Sequence, residues 1–340
     1  DPDRDHAMEV GFSLRVTDAS QSGEARRRAQ ALARGVGFDE ADAGKVAIAV
    51  TESATNLVKH GGGGEIVLRV LNHGPVAGVE MLALDKGSGI ASVAQSLRDG
   101  FSTAGSPGTG LGAVGRLSAL FEIYSAPKAG TALLARFWPH RGAPDGDPFE
   151  IGAVSVPKPG EDVCGDDWAV RTQAGRLVVL VVDGLGHGPD AAVAARTAVQ
   201  VFLEERAAAP ADGVQIIHDA LRSTRGAAVA IAEIDREQRL VRFSGVGNIG
   251  GWVLSGGQSR SMVSHHGTAG VAVRKITEFT YAWPEHALLV MHSDGLGSRW
   301  NLDAYPGLSG RHPALVAGVL YRDFVRGRDD ATIVVVREKT

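Results

Sequence analysis

The sequence predicts an α/β (α+β) chain of two sandwich domains: helices beside a mostly antiparallel sheet, then two packed sheets flanked by helices. Three observations predict it. The 340 residues exceed one ordinary core, so two domains are expected. The segment Trp138–Pro148 (WPHRGAPDGDP) is rich in Pro, Gly and Asp and has no hydrophobic period, which marks a linker. Helices and strands mix before it, and strands dominate after it. The expected layout is a domain over residues 1–138, a linker over 139–149 and a domain over 150–340.

In the first half, Glu24–Val36 has helical composition. Glu40–Lys59 follows a candidate N-cap, Asp39, with Val46, Val50, Leu57 and Val58 among its apolar positions; His60 and Gly61–Gly64 mark its end. Glu65–Leu71 and Gly78–Leu84 read as strands, Gly112–Leu120 as a helix, and Phe121–Ser125 and Thr131–Trp138 as strands. In the second half, strands are expected at Ile151–Val156, Asp167–Arg171, Leu177–Val182, Ala227–Ile234, Leu240–Ser244, Gly251–Leu254, Ile276–Trp283, Ala287–Met291 and Ala331–Arg337. Helices are expected at Asp190–Arg206, Gly213–Ser223 and Pro313–Val325.

Composition narrows the function classes. Hydrophobic residues are 44% and charged residues 22%, as in ordinary soluble proteins. The net charge is −4 without a long basic run, which argues against a nucleic-acid partner. The cluster Arg26–Arg28 beside Glu24 reads as a solvated helix face. The single cysteine, Cys164, permits no intrachain disulfide, and without a Cys-x5-Arg loop it reads as inert. The run Leu177–Val182 is too short to cross a bilayer, and the polar residues before Met8 read as a tail rather than a signal peptide. The expectation is a cytoplasmic protein without a membrane anchor.

Four pieces of the first half form one constellation. Glu52 and Asn56, at i and i+4, share a helix face; an amide there can ligate magnesium while the carboxylate accepts a proton. Asp85-Lys86-Gly87-Ser88-Gly89 puts a carboxylate at a strand end, able to accept the adenine amino hydrogen, before a glycine turn. Gly108-Thr109-Gly110-Leu111-Gly112 enters a helix whose N-terminus can cradle phosphates. Gly130-Thr131 opens the last strand and offers a hydroxyl that could reach adenine through water. There is no Walker A pattern.

The second half has aspartates at strand ends. Asp183-Gly184 follows one apolar strand, Asp294-Gly295 follows another, Asp329-Asp330 precedes a third and Asp166 a fourth. Such carboxylates repel one another unless cations neutralise them, and hard oxygen donors suit Mg²⁺ or Mn²⁺. Two ions could share a water and orient a phosphate for in-line attack. His187, in the Asp-Gly-Leu-Gly-His-Gly string, reads as a turn histidine capping backbone, with a general acid as the alternative. Ser244–Asn248 suggests a tight turn near the site. Ser293 lacks the His/Asp pair of a triad nucleophile, and His265, His266 and His292 have no defensible ligand spacing.

The ordered motifs of the first half resemble the GHKL (Bergerat-fold) ATPase superfamily. Asn56-Leu57-Val58-Lys59-His60 with its glycines is nearest the anti-sigma-factor serine kinases of RsbW and RsbT type. The resemblance covers about residues 10–138 and implies a Bergerat α/β sandwich. It implies Glu52 as catalytic base, Asn56 as magnesium ligand, Asp85 on adenine, and Gly87, Gly89, Gly108, Gly110, Leu111, Gly112 and Thr131 around the nucleotide. The second half resembles the metal-dependent protein phosphatase (PPM) family in its SpoIIE-like, RsbX-type branch, carried by Gly165-Asp166, Asp183-Gly184-Leu185-Gly186-His187-Gly188, Ser293-Asp294-Gly295 and Asp329-Asp330-Ala331-Thr332. It implies a PPM-type α-β-β-α sandwich with Asp166, Asp183, the Gly184 carbonyl, Asp294 and Asp329 as metal ligands. Asp330 stays open as the alternative to Asp329, and Asp167 as the alternative to Asp166.

Together the halves imply a bifunctional regulator. ATP with Mg²⁺ would serve phosphorylation, and Mg²⁺ or Mn²⁺ dephosphorylation, of Ser or Thr on a STAS-domain anti-sigma-factor antagonist or related phosphoprotein. A sigma factor is a second candidate partner, and a homo-oligomer stays open. The alternative is an ATP-gated binding domain, without kinase turnover, fused to an active phosphatase. In a third reading ATP regulates the phosphatase.

Overall fold

The computed structural model describes residues 5–7, 11–73, 76–97, 110–139, 147–173 and 175–339. The chain forms two compact units. The first comprises Glu9–Asp147 with Gly310–Arg322, and the second Asp1–Met8, Pro148–Ser309 and Asp323–Thr340. Each unit thus takes a segment from the far end of the sequence.

In chain order the elements begin with β1 (Asp5–Ala7), β2 (Gly11–Val16), α1 (Ala19–Gly35), α2 (Glu40–His60), β3 (Gly64–His73), β4 (Val76–Asp85), α3 (Val93–Ser96), α4 (Gly110–Leu117), β5 (Leu120–Ser125) and β6 (Thr131–Phe137). There follow β7 (Phe149–Val156), β8 (Asp166–Gln173), β9 (Arg176–Gly184), α5 (Pro189–Glu204), α6 (Pro210–Ala220), β10 (Ala227–Asp235), β11 (Leu240–Val246), β12 (Gly250–Ser255) and β13 (Gln258–Ser261). The rest are β14 (Gly267–Thr268), β15 (Ala272–Val273), β16 (Phe279–Ala282), β17 (Leu288–His292), α7 (Pro313–Phe324) and β18 (Ala331–Glu338).

The first unit is an antiparallel sheet in the order β2-β3-β4-β6-β5 with helices against it. Asp39 caps α2 by accepting the Asp42 N–H at 2.8 Å, and the buried stripe Ala43, Val46, Ala47, Val50, Ala54, Leu57 keeps the helical period. On α1 the buried residues are Ala25, Ala29 and Ala33, small side chains at i+4 that join the same core as α2. Val79, Met81 and Ala83 of β4 also enter that core. The opposite face of β4 carries Glu80, Leu82 and Leu84. There α7 packs: a Cβ on Gly318 would lie 3.2 Å from Leu84 and 3.4 Å from Leu82. Pro313 to Arg322 are all buried, so α7 is apolar nearly all round.

Glu80 is the cost of this second face. Its carboxylate is buried between Arg69 Nε at 2.5 Å and Arg136 Nε at 2.7 Å. Burial alone would raise its pKa, but the two guanidinium groups outweigh it and hold the carboxyl at about 2.

The second unit stacks a six-stranded sheet, β1-β8-β9-β10-β11-β16, on a five-stranded sheet, β13-β12-β17-β18-β7. Val179, Val181, Phe243, Trp283, Leu289, Met291 and Val334 fill the space between them. Val178, Leu180 and Val182 alternate to the other face, with Ala194, Ala195 and Ala198 of α5 and Val214 and Ile217 of α6.

The expected mixture of helices and antiparallel sheets is what the chain forms. Several details differ. The polar stretch before Met8 contains β1, which pairs with Ala169–Arg171 of β8. The strand β2 lies where no element was expected. The helix expected from Gly112 begins at Gly110. Most of α7, expected within the second half, groups with the first unit.

Candidate functional site

Two clusters of polar side chains stand out, one in each unit. In the first, Glu52 and Asn56 lie one turn apart on α2, facing the start of α4. The approach is close: a Cβ on Gly110 would lie 3.0 Å from Glu52 Oε2 and 3.6 Å from Asn56 Nδ2. A side chain at Gly110 would press on the end of Glu52. Asn56 Nδ2 is buried and has no hydrogen-bond partner among the described residues. An orphaned buried amide costs about 1–3 kcal/mol, a cost an incoming ligand would relieve. The donor set, an amide and a carboxylate facing a helix N-terminus, fits a magnesium–phosphate group.

Asp85 ends β4 directly opposite Thr131 of β6. Its Oδ1 accepts the Gly87 N–H at 2.8 Å and the Thr131 N–H at 3.1 Å. Burial raises its pKa, opposed by these two N–H groups and by the charges of Arg322 and His60. The Thr131 hydroxyl lies 3.0 Å from Ser125 Oγ, which donates to the Gly130 carbonyl. Gly87 and Gly89 form the turn after β4, Gly89 with φ +71°. Leu111 packs its side chain against the core, and Gly112 follows in the first turn of α4. Gly108 lies outside the described residues. Thus Glu52, Asn56 and Gly110 form one group, and Asp85, Gly87 and Thr131 another. They are joined where a Cβ on Gly61, at the end of α2, would lie 2.7 Å from Asp85 Cβ.

In the second unit the antiparallel register brings the aspartates to one end of the sheets. Asp166 of β8 pairs with Asp183 of β9. Asp294 follows β17, and Asp329 and Asp330 precede β18. Ser293 ties the two sheets together: its hydroxyl donates to Asp166 Oδ2 at 2.6 Å and accepts the Thr332 N–H at 3.0 Å. Asn248 Nδ2 donates to Asp294 Oδ2 at 2.7 Å. A Cβ on Gly295 would lie 1.9 Å from the Asp330 carbonyl, so the Asp-Gly pair is required for these loops to meet.

The electrostatics follow from this crowding. Burial, then Asp183 and Asp330, push Asp166 well above the ordinary carboxyl value. Burial, then Asp294, Asp329 and Asp330, push Asp183 up to about 7. Asp294 and Asp330 are raised too, by burial first and then by Asp329. Asp330 Oδ1 accepts the Lys158 N–H at 2.8 Å, and the Gly165 N–H also lowers its pKa. Among the described residues no three carboxylate, imidazole or thiolate groups already close around a single point. The chemistry of the donors, all oxygen and mutually repelling, still fits hard divalent cations.

The alternation of β8 sends Asp167 to the opposite face from Asp166. Its Oδ1 accepts its neighbour Trp168's N–H, and burial raises it to about 6 against the charge of Arg196 on α5. This separates it from the aspartate cluster. His187, expected to cap backbone, instead has Nδ1 2.7 Å from Glu161 Oε1. Cys164 is a half-buried free thiol, its pKa raised by desolvation and then by Asp166. His292 is buried too: Nδ1 donates to the Ser293 carbonyl, and Nε2 accepts the Trp300 N–H at 3.2 Å.

Sequence reasoning missed the side chains of Ser293 and Asn248 as partners of the aspartates. The partners are 127 and 46 residues apart, so no local spacing signals them. No helix among the described residues is long and apolar enough to cross a membrane.

Known proteins share both regions. Residues 16–137 match the family described as a histidine kinase-like ATPase domain. Residues 173–339 match stage II sporulation protein E (SpoIIE). The serine/threonine-protein kinase RsbT of Bacillus subtilis (strain 168) is 32% identical over 114 residues, 34% of this chain and 86% of RsbT. The phosphoserine phosphatase RsbX of the same organism is 27% identical over 141 residues, 41% of this chain and 70% of RsbX. A solved chain, from work on the bacterial stressosome as a modular system adapted to control secondary messenger signaling, superposes with a TM-score of 0.53. It is 28% identical and covers 56% of this chain and all of its own length.

Proposed function

The chain belongs to the RsbT-like family of histidine kinase-like ATPase domains through its N-terminal half and carries a SpoIIE-type protein phosphatase domain in its C-terminal half, and from that premise we propose a bifunctional partner-switching regulator. The N-terminal half phosphorylates, and the C-terminal half dephosphorylates, Ser or Thr on a STAS-domain anti-sigma-factor antagonist. The observation that carries this reading is the presence, in one chain, of both groups of residues: Glu52 and Asn56 facing Gly110, and Asp166, Asp183, Asp294 and Asp329 at neighbouring strand ends. The similarity to a stressosome chain supports the choice of partner.

In the kinase half, Glu52 would accept the proton of the attacking hydroxyl, Asn56 would hold the magnesium that accompanies ATP, and Asp85 would accept the adenine amino hydrogen. Gly87, Gly89, Gly110, Leu111, Gly112 and Thr131 would surround the nucleotide, and Gly108, outside the described residues, is proposed with them. In the phosphatase half, Asp166, Asp183, the Gly184 carbonyl, Asp294 and Asp329 would hold Mg²⁺ or Mn²⁺. Such ions supply a water of lowered pKa and a positive template for the phosphoryl oxygens. Ser293 fixes Asp166, and Asn248 fixes Asp294, so the carboxylates keep their places despite repulsion.

The test is incubation of the full chain with ATP, Mg²⁺ or Mn²⁺ and candidate STAS proteins, read as phosphoprotein mass. Phosphoprotein should accumulate with Asp294→Ala and be absent with Glu52→Ala. Suppose Asp294→Ala yields none with any candidate, while the intact chain dephosphorylates a separately phosphorylated one. The kinase assignment is then lost, and ATP-gated binding replaces it.

A further inference from the structure

A residue near the end of the sequence reaches the nucleotide cluster. Arg322, in the last turn of α7, donates from Nη1 to the Asp85 backbone carbonyl at 3.0 Å, across 237 residues of sequence. It does not stand alone. The preceding Tyr321 hydroxyl donates to Glu65 Oε1 at 2.9 Å, and Glu65 on β3 pairs with Leu84, the residue before Asp85. One turn earlier Gly318 lies against Leu82 and Leu84. At the other end of the helix the His312 N–H donates to Glu122 Oε2 of β5 at 3.1 Å. The helix thus grips strands β3, β4 and β5, and its last turn ends on Asp85.

We propose that Arg322 is a positioning residue of the nucleotide site, holding the end of β4 so that the Asp85 carboxylate receives the adenine amino group. The proposal rests on the reading of Asp85 as the adenine acceptor. Two physical effects act together. The hydrogen bond fixes the carbonyl of the residue whose side chain does the recognition. The guanidinium charge also favours the ionised carboxylate, against the burial that raises its pKa. Only the ionised form is purely an acceptor; the neutral acid carries a hydroxyl that can turn toward a ring carbonyl such as that of guanine. Loss of Arg322 therefore affects base choice as well as affinity.

The experiment is calorimetry of the full chain with ATP and with GTP, each with magnesium. The variants are Arg322→Ala, Arg322→Lys, Arg322→Gln and, as reference, Asp85→Asn. Arg322→Ala is expected to weaken ATP about ten-fold or more and to bring the ATP-to-GTP affinity ratio toward that of Asp85→Asn. Arg322→Lys, which keeps the charge, should retain most of the ratio, and Arg322→Gln should lose it. A packing role alone would weaken both nucleotides alike and leave the ratio unchanged. The lysine and glutamine variants keep the side chain's bulk, so they carry the comparison should the alanine variant melt early by circular dichroism. An unchanged ratio in Arg322→Gln, while Asp85→Asn loses discrimination, overturns the proposal alone. A wild-type chain that binds neither nucleotide overturns the reading of Asp85 and the proposal with it.

Discussion

The two clusters solve opposite problems. The aspartate cluster gathers like charges, so its scaffold is stiff: strand ends in fixed register, Ser293 across the two sheets and Asn248 on Asp294. The cluster proposed to bind nucleotide is built on helix α2 and turns, and the buried Asn56 amide has no partner among the described residues. One site holds groups together against repulsion, and the other keeps a polar group open for what it binds. The difference teaches where substitutions should hurt. In the first, removing a charge disables chemistry while relieving strain on the fold; in the second, removing a polar group costs binding or proton transfer.

The largest expected effect is in the aspartate cluster. Asp183→Asn should lower phosphatase turnover by about 10³-fold or more, as expected for a lost ligand charge. Thermal stability should hold or rise, because Asp183 is repelled by Asp294, Asp329 and Asp330. Hydrolysis of para-nitrophenyl phosphate beside a melting curve checks both. Undiminished turnover, or a sharp fall in melting temperature, breaks the contrast.

Next comes the nucleotide cluster. Glu52→Ala should cut phosphotransfer to a STAS protein by about 10²- to 10⁴-fold with ATP affinity nearly kept. Asn56→Ala should weaken magnesium-dependent ATP binding instead. Calorimetry with transfer assays separates the two, and equal effects of both variants on affinity would contradict the assigned roles.

A third effect concerns stability. The folded Glu80 carboxyl sits at about 2, below its ordinary 4.5, so its stabilisation is complete above the ordinary value and is lost as the pH falls through about 2. A shift of this size corresponds to ~3 kcal/mol, and Glu80→Gln should lose a similar amount at pH 7. Urea melts at pH 7 and pH 3 test it: the pH dependence from this group should vanish in the variant. The smallest effect is expected for Asn248→Ala, which removes the amide that steadies Asp294. Turnover should fall about ten-fold, with more metal needed for half-maximal rate. A metal titration that superposes on the wild type would show that Asp294 needs no such support.

How much was legible can be read from particular residues. The strand-end aspartates were visible because each follows or precedes an apolar run, and the sheets carry them to one end. Asp39 was visible as a cap because its side chain acts on a backbone N–H three residues away. The choice between Asp166 and Asp167 was not, since neighbouring residues have the same local signal and opposite faces. The face each occupies and the partners Ser293 and Arg196 distinguish them.

Sequence alone determined most of the helix–strand order, the two residue patterns and their family resemblances, because these rest on local period, turn chemistry and short spacing. Tertiary structure decided which unit α7 joins, which carboxylates meet, and that Arg322 ends on Asp85. The physical reason is range: an apolar helix such as α7 says only that it must be buried. What buries it is settled by packing and hydrogen bonds between residues hundreds of positions apart.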